Sequence, residues 1–226
     1  MITDIVMLVD KSGSMGPIWG DVKGGLQYFI DSQKNQENMA RLTLVFFDGT
    51  NRQNVKILGE NIDSICLDMS DVYPLGSTPL YDAIGMAIKE TEARLDTYGE
   101  HEKADKVIFV IYTDGNENCS KHYSKNDVKE MVENMKELNW DFLFLGASLD
   151  RMTGDSVTLQ GSGIGMRSIR VCNDASSYTN TMTSLGEVTT EARTRTSGGI
   201  RFSAEQYRGM APDADEAEVS RVVTSE

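Results

Sequence analysis

Asp10, Ser12 and Ser14 stand at alternate positions in the stretch Asp10-Lys11-Ser12-Gly13-Ser14. In an extended or looping backbone, alternate side chains turn to one side, so three oxygen donors can meet at one point. Hard oxygen donors gathered in this way suit a hard divalent cation. Two further oxygen donors recur in comparable settings: the carboxylate of Asp114 in Thr113-Asp114-Gly115, and the hydroxyl of Thr78 in Gly76-Ser77-Thr78-Pro79. Singly, each has a plain explanation. Asp and Ser favour turns and caps, and a Thr before Pro can simply cap a helix. The chemistry depends on whether the fold brings them together.

The elements that would position them are legible from periodicity. Ile5-Val6-Met7-Leu8-Val9 is a continuous, branched apolar run that reads as a strand buried on both faces and ends at Asp10. Gly16-Pro17 opens a helix whose stripe is Ile18, Val22, Leu26, Phe29 and Ile30. A second buried strand spans 41–47. After the turn Asp48-Gly49-Thr50-Asn51, Val55-Lys56-Ile57-Leu58 supplies a short antiparallel partner. Thr78-Pro79 opens a helix with Leu80, Ile84, Ala87, Ile88 and Leu95 inward, and Thr78 near its N-cap.

The strongest strand signal is 106–112, which runs straight into Thr113-Asp114. A helix over 124–138 and a buried strand over 141–146 follow. Beyond Gly146 the pattern weakens to a Gly- and Ser-rich stretch. A last edge strand, Ile169 to Cys172, and a closing helix, Asp174 to Thr194, come after it. Residues 1–210 thus form one domain, with 146–210 the less regular part, and the acidic segment 211–226 reads as a disordered tail. Alternating strands and helices predict a doubly wound, mostly parallel α/β sheet with one antiparallel edge strand and helices on both faces, a Rossmann-like fold. If the strand order is 3-2-1-4-5-6, the first and fourth strands are neighbours at the switch point where ligands bind. Asp10 and Asp114 then face each other, with Thr78 close by.

Composition narrows the setting. The formal net charge of −13 argues against nucleic acid or an anionic membrane as partner. No apolar run is long enough to span a bilayer and no basic leader precedes the first strand, so a cytoplasmic protein is expected. Cys66, Cys119 and Cys172 are an odd number without metal-type spacing, which suits reduced thiols.

Together, Asp10-x-Ser12-x-Ser14, Thr78 and Asp114 resemble the metal-ion-dependent adhesion site of von Willebrand factor type A domains, and they occur in that family's order. The resemblance covers roughly Ile2 to Ala147. Leu80-Tyr81-Asp82-Ala83-Ile84 and Leu145-Gly146-Ala147 look like the intracellular bacterial and phage branch. The resemblance implies a Mg²⁺ or Mn²⁺ site. Ser12, Ser14 and, in the liganded state, Thr78 would bind the metal directly, while Asp10 and Asp114 would hold it mainly through waters. Two carboxylates neutralise a dication and hydroxyls add no charge, so the ion stays electrophilic and a Glu or Asp of a partner protein can complete its shell. The implied protein is not an enzyme but a metal-dependent interaction module.

The competing reading is a Mg²⁺-dependent phosphoryl-transfer or phosphatase enzyme using Asp10 and Asp114. Such enzymes usually need a second carboxylate two residues beyond the first as general acid, and here that position is Ser12. A serine hydrolase fits less well, because no Gly-x-Ser-x-Gly elbow is present and neither His101 nor His122 is placed as a base. Both histidines read as surface residues. Asp82 reads as a polar supporting or surface group, Asp48 as turn chemistry, and Gly161-x-Gly163-x-Gly165 as a flexible loop.

Overall fold

The computed structural model describes residues 1–50, 53–148, 160–172, 174–195 and 199–224. Asn51 of the expected turn and most of the Gly- and Ser-rich stretch lie outside the described residues. Strands β1 (Ile2–Asp10), β2 (Met39–Phe47), β3 (Asn54–Asn61), β4 (Lys106–Thr113), β5 (Trp140–Ser148) and β6 (Arg167–Cys172) form one sheet in the order β3-β2-β1-β4-β5-β6. β3 pairs antiparallel with β2; every other pairing is parallel. The doubly wound, mostly parallel sheet expected from periodicity is the one observed, and its strand order is the one on which the adjacency of β1 and β4 depended.

The helices are α1 (Trp19–Gln33), α2 (Leu80–Leu95), α3 (Lys125–Glu137), α4 (Ala175–Arg193), α5 (Ala204–Met210) and α6 (Glu216–Thr224). The alternation of side chains along each strand divides the apolar interior into two layers. Ile5, Met7 and Val9 of β1 join Ile108, Val110 and Tyr112 of β4 in one layer, under α1, α4 and the C-terminal helices. Val6, Leu8, Val107, Phe109 and Ile111 face the other, under α2 and α3. A sheet covered on both sides explains why its strands read as unbroken apolar runs.

Two expectations need correction. The described part of the expected disordered tail, 211–224, is ordered: 216–224 is helix α6, with Val219 and Val222 buried against the core. Its acidic character hid this, because the carboxylates have partners that only the fold supplies. Arg170, buried on β6, bonds Asp213 at 3.0 Å and Glu218 at 2.8 Å, and the Tyr207 hydroxyl donates to Glu218 at 2.5 Å. Nor is Gly161-x-Gly163-x-Gly165 a plain loop. Residues 160–163 are helical, and a Cβ on Gly161 would lie 2.3 Å from the Phe144 ring, so this glycine permits close packing on β5.

Candidate metal centre

β1 and β4 end side by side, and their last residues start the site. Asp10 is fully buried at the end of β1. One of its oxygens accepts the Ser12 N–H at 2.7 Å and the other accepts the Thr113 hydroxyl at 2.6 Å. Burial pushes its carboxyl up to about 6; the bonds from Thr113 and Ser12 oppose that shift without cancelling it. A buried carboxylate that would rather be neutral has a strong electrostatic demand for a nearby cation.

The chain then turns into a 3-10 segment, Gly13–Ile18, that carries Ser14 back over the strand ends. The Ser12 and Ser14 hydroxyls lie 3.1 Å apart, and Ser14 donates to Asp114 at 2.7 Å. Backbone bonds hold the loop from both sides. Lys11 N–H donates to the Phe47 carbonyl at 2.9 Å, Gly13 N–H to the Gly76 carbonyl at 3.1 Å, and Leu75 N–H to the Lys11 carbonyl at 2.8 Å. Gly76 sits at φ +79°, in the left-handed region where a glycine is least strained.

Thr78 reaches the same crevice. It is not the helix cap that a Thr before Pro suggests, since the N-cap position of α2 is Pro79 and makes no side-chain bond. Instead, Glu117 accepts the Tyr81 N–H at 2.9 Å and the Ser120 hydroxyl accepts the Asp82 N–H at 3.0 Å. Asn118 clamps Thr78 through its backbone, accepting the Thr78 N–H at 2.9 Å and donating its own N–H to the Thr78 carbonyl at 3.2 Å. The Thr78 hydroxyl is left to the crevice. A Cβ placed on Gly115 would stand 2.8 Å from that hydroxyl and 3.6 Å from Asp10 Oδ2. The absence of a side chain at 115 therefore keeps open a small space walled by oxygen atoms.

All five residues singled out from sequence, Asp10, Ser12, Ser14, Thr78 and Asp114, are thus gathered at one place. The donor set is two carboxylates and three neutral hydroxyls, all oxygen, which fits a hard cation of the Mg²⁺ class and offers nothing to a soft one. Among the described residues no cluster of three or more His, Cys, Asp or Glu side chains forms a conventional metal site. Any ion here must rely on hydroxyls.

Several supporting residues escaped sequence reading. Thr113 looks like any β-branched residue ending a strand, yet it orients Asp10. Glu117 and Asn118 sit in a polar loop with no periodicity. Asp82, read from sequence as a polar supporting or surface group, is a supporting one: it accepts the N–H groups of Lys121, His122 and Tyr123, each at 2.8 Å. Burial works against its charge, but those three bonds outweigh it and hold its carboxyl below the usual range. Asp48 does accept the Thr50 N–H at 2.9 Å, as turn chemistry suggests, but it is also buried and paired with Lys11. His101 and His122 are exposed.

The von Willebrand factor type A domain model matches residues 4–160. Among solved structures, the chain is similar to the pilus adhesin SpaC of Lactobacillus rhamnosus GG in its open conformation, with TM-score 0.59, 15% identity, and coverage of 84% of this chain and 30% of that one. It is also similar to proximal thread matrix protein 1 of the mussel byssus, with TM-score 0.53, 15% identity, and coverage of 84% and 46%. For an aerotolerance-related membrane protein of Bacteroides fragilis the values are TM-score 0.50, 15% identity, and coverage of 82% and 97%. The chain therefore spans less than half of the adhesin and the byssus protein, and at these identities the likeness concerns the fold. No curated protein matches it.

Proposed function

Because the chain belongs to the von Willebrand factor type A family, whose domains commonly serve protein interaction and are generally not enzymes, we propose that it is a metal-dependent docking module. In this reading Ser12, Ser14 and Thr78 hold a Mg²⁺ or Mn²⁺ ion through their hydroxyls. Asp10 and Asp114 hold it through water, and a Glu or Asp of a partner protein completes the shell. The observation that carries the reading is the space beside Gly115 walled by oxygens of Asp10 and Thr78, with the hydrogen-bonded chain Ser12–Ser14–Asp114 leading from the same strand ends. The ion supplies an electrophilic point of attachment. The chain's own residues orient the hydroxyls, keep the buried Asp10 in place and exclude competing ligands.

The rim suits a protein partner. Tyr73 and Leu75, on the loop bonded to Lys11, are 64% and 60% exposed beside the site. Large apolar side chains at a polar rim favour protein contact. Phosphoryl transfer is less well supported, since Lys11, the cation nearest Asp10 in sequence, is paired with Asp48 and is not presented to a phosphate. Three free thiols and the acidic surface fit the cytoplasmic, bacterial or phage setting that we also propose. No helix among the described residues is long and apolar enough to cross a membrane.

Titration calorimetry with Mg²⁺ and Mn²⁺ tests the site. Wild-type protein is expected to bind one ion, and Asp114→Ala to lose at least tenfold in affinity while keeping its circular-dichroism spectrum. Unchanged affinity in that variant would remove the assignment.

A further inference from the structure

A cavity of about 710 Å³ opens on the α2 side of the site. Pro79, directly after Thr78, forms part of its wall, so the cavity begins within one residue of the metal-facing hydroxyl. Phe47, Ala83, Met86 and Tyr123 line its interior. Its volume lies in the range of small-ligand and side-chain pockets. Gln53 reaches into it with its amide N–H held by the Ala83 carbonyl at 2.6 Å. Its Oε1 is buried without a donor among the described residues.

The acidic and basic groups at the mouth differ in exposure. Asp48 and Asp82 also line the cavity, but Asp48 is paired with Lys11 and Asp82 is held by three backbone N–H groups. Lys121 and His122 stand exposed beside them, and neither makes an ion pair among the described residues. On a chain of net charge −13, the Lys121 ammonium is thus a charge left exposed to a partner at the mouth of an apolar hole.

Resting on the docking reading above, we propose that this cavity selects the partner. It receives a large apolar or aromatic side chain from an acidic segment of the partner protein, within a few residues of the carboxylate that reaches the metal. A second acidic residue of that segment meets Lys121 and His122, and a donor on the inserted side chain, as on Trp or Tyr, satisfies Gln53 Oε1. The exposed Lys121 ammonium favours a carboxylate in the segment, and the apolar walls make the inserted residue bulky.

The test is panning of a displayed peptide library in which one central Glu is constant and four positions on either side are random, with Mg²⁺ and with chelator. The expected result is Mg²⁺-dependent enrichment of peptides that carry Trp, Tyr, Phe or Leu at one preferred spacing from the constant Glu, together with added Asp or Glu. For a selected peptide, Met86→Trp, which fills the cavity, should weaken binding at least tenfold, as expected for expelling one buried apolar side chain. Met86→Ala should instead shift selection towards larger side chains, and Lys121→Glu should remove the preference for extra acidic residues. The rise in melting temperature on adding Mg²⁺ should stay at the wild-type value in all three variants, which reports both an intact fold and an intact metal site. Mg²⁺-dependent enrichment of the Glu alone, with no apolar preference, overturns the cavity proposal and leaves the docking reading standing. Equal enrichment with chelator, or in Asp114→Ala, overturns the docking reading. No enrichment under any condition overturns the acidic-segment proposal.

Discussion

At the scale of the residue, the site depends on a conflict held in place at Asp10. Its carboxyl is buried, and burial raises it to about 6. A group whose folded value lies above its unfolded value binds protons more tightly in the fold. The stability contributed by Asp10 is therefore greatest below the ordinary carboxylate range and is lost as pH rises through about 6. Bound Mg²⁺ offsets that loss because it favours the ionised form. The rise in melting temperature on adding Mg²⁺ is thus expected to be largest above pH 7 and to shrink below pH 6. With Mg²⁺ about 100-fold above its dissociation constant, linkage gives ~2.7 kcal/mol, or roughly 5–10 °C for a chain of this size. Thermal melts at pH 5 and pH 7.5, with and without Mg²⁺, check this, and an equal rise at both pH values would contradict it. Asp10→Asn should abolish the Mg²⁺ response and make the metal-free protein more stable than wild type at pH 7.5.

At the scale of the element, the start of α2 and the loop after β4 are bound to each other reciprocally. Glu117 and Ser120 of the loop accept N–H groups of the helix, while Asp82 of the helix accepts N–H groups of the loop. This exchange sets the position of Thr78 without using its hydroxyl. Asp82→Ala removes one acceptor from three N–H groups and is expected to cost about 3 kcal/mol, read as a shift in urea midpoint. It should also lower Mg²⁺ affinity by loosening Thr78. A variant that loses stability but keeps wild-type Mg²⁺ affinity would show that the clamp serves the fold alone. Asp82 also contributes to acid sensitivity in the ordinary direction. Its carboxyl is held low, so its stabilisation is present at neutral pH and is lost as pH falls through its folded value.

At the scale of the whole molecule, the C-terminal segment completes the core layer under α1 and α4 and covers β6. Arg170 on the edge strand is 3% exposed, and its partners Asp213 and Glu218 come from the last turn of chain. Removing Glu218 takes from the buried guanidinium its better-buried carboxylate, 12% exposed against 48% for Asp213, and from the Tyr207 hydroxyl its acceptor. Glu218→Ala is therefore expected to destabilise the protein by about 3 kcal/mol. The loss should persist in high salt, because buried pairs are poorly screened. Chemical denaturation at low and high ionic strength measures both. A change below about 0.5 kcal/mol would be the surface-pair result and would show that α6 adds little.

Sequence alone determined the strands and singled out the five oxygen donors, while the strand order that brings them together was a condition that the tertiary structure met. Strands buried on both faces must be unbroken apolar runs, and donors that end such strands fall at the same edge of a parallel sheet. The helical periods of α1, α2 and α3 were equally plain, because each buries one stripe against that sheet. What only the tertiary structure decided were contacts between stretches with no pattern of their own. Thr113 turns to Asp10, Asn118 grips Thr78, Asp82 gathers the loop from 121 to 123, and Arg170 converts an acidic segment into a packed helix. A polar side chain carries no sign in its sequence of whether water or a buried partner will satisfy it. That choice is made where two distant segments meet.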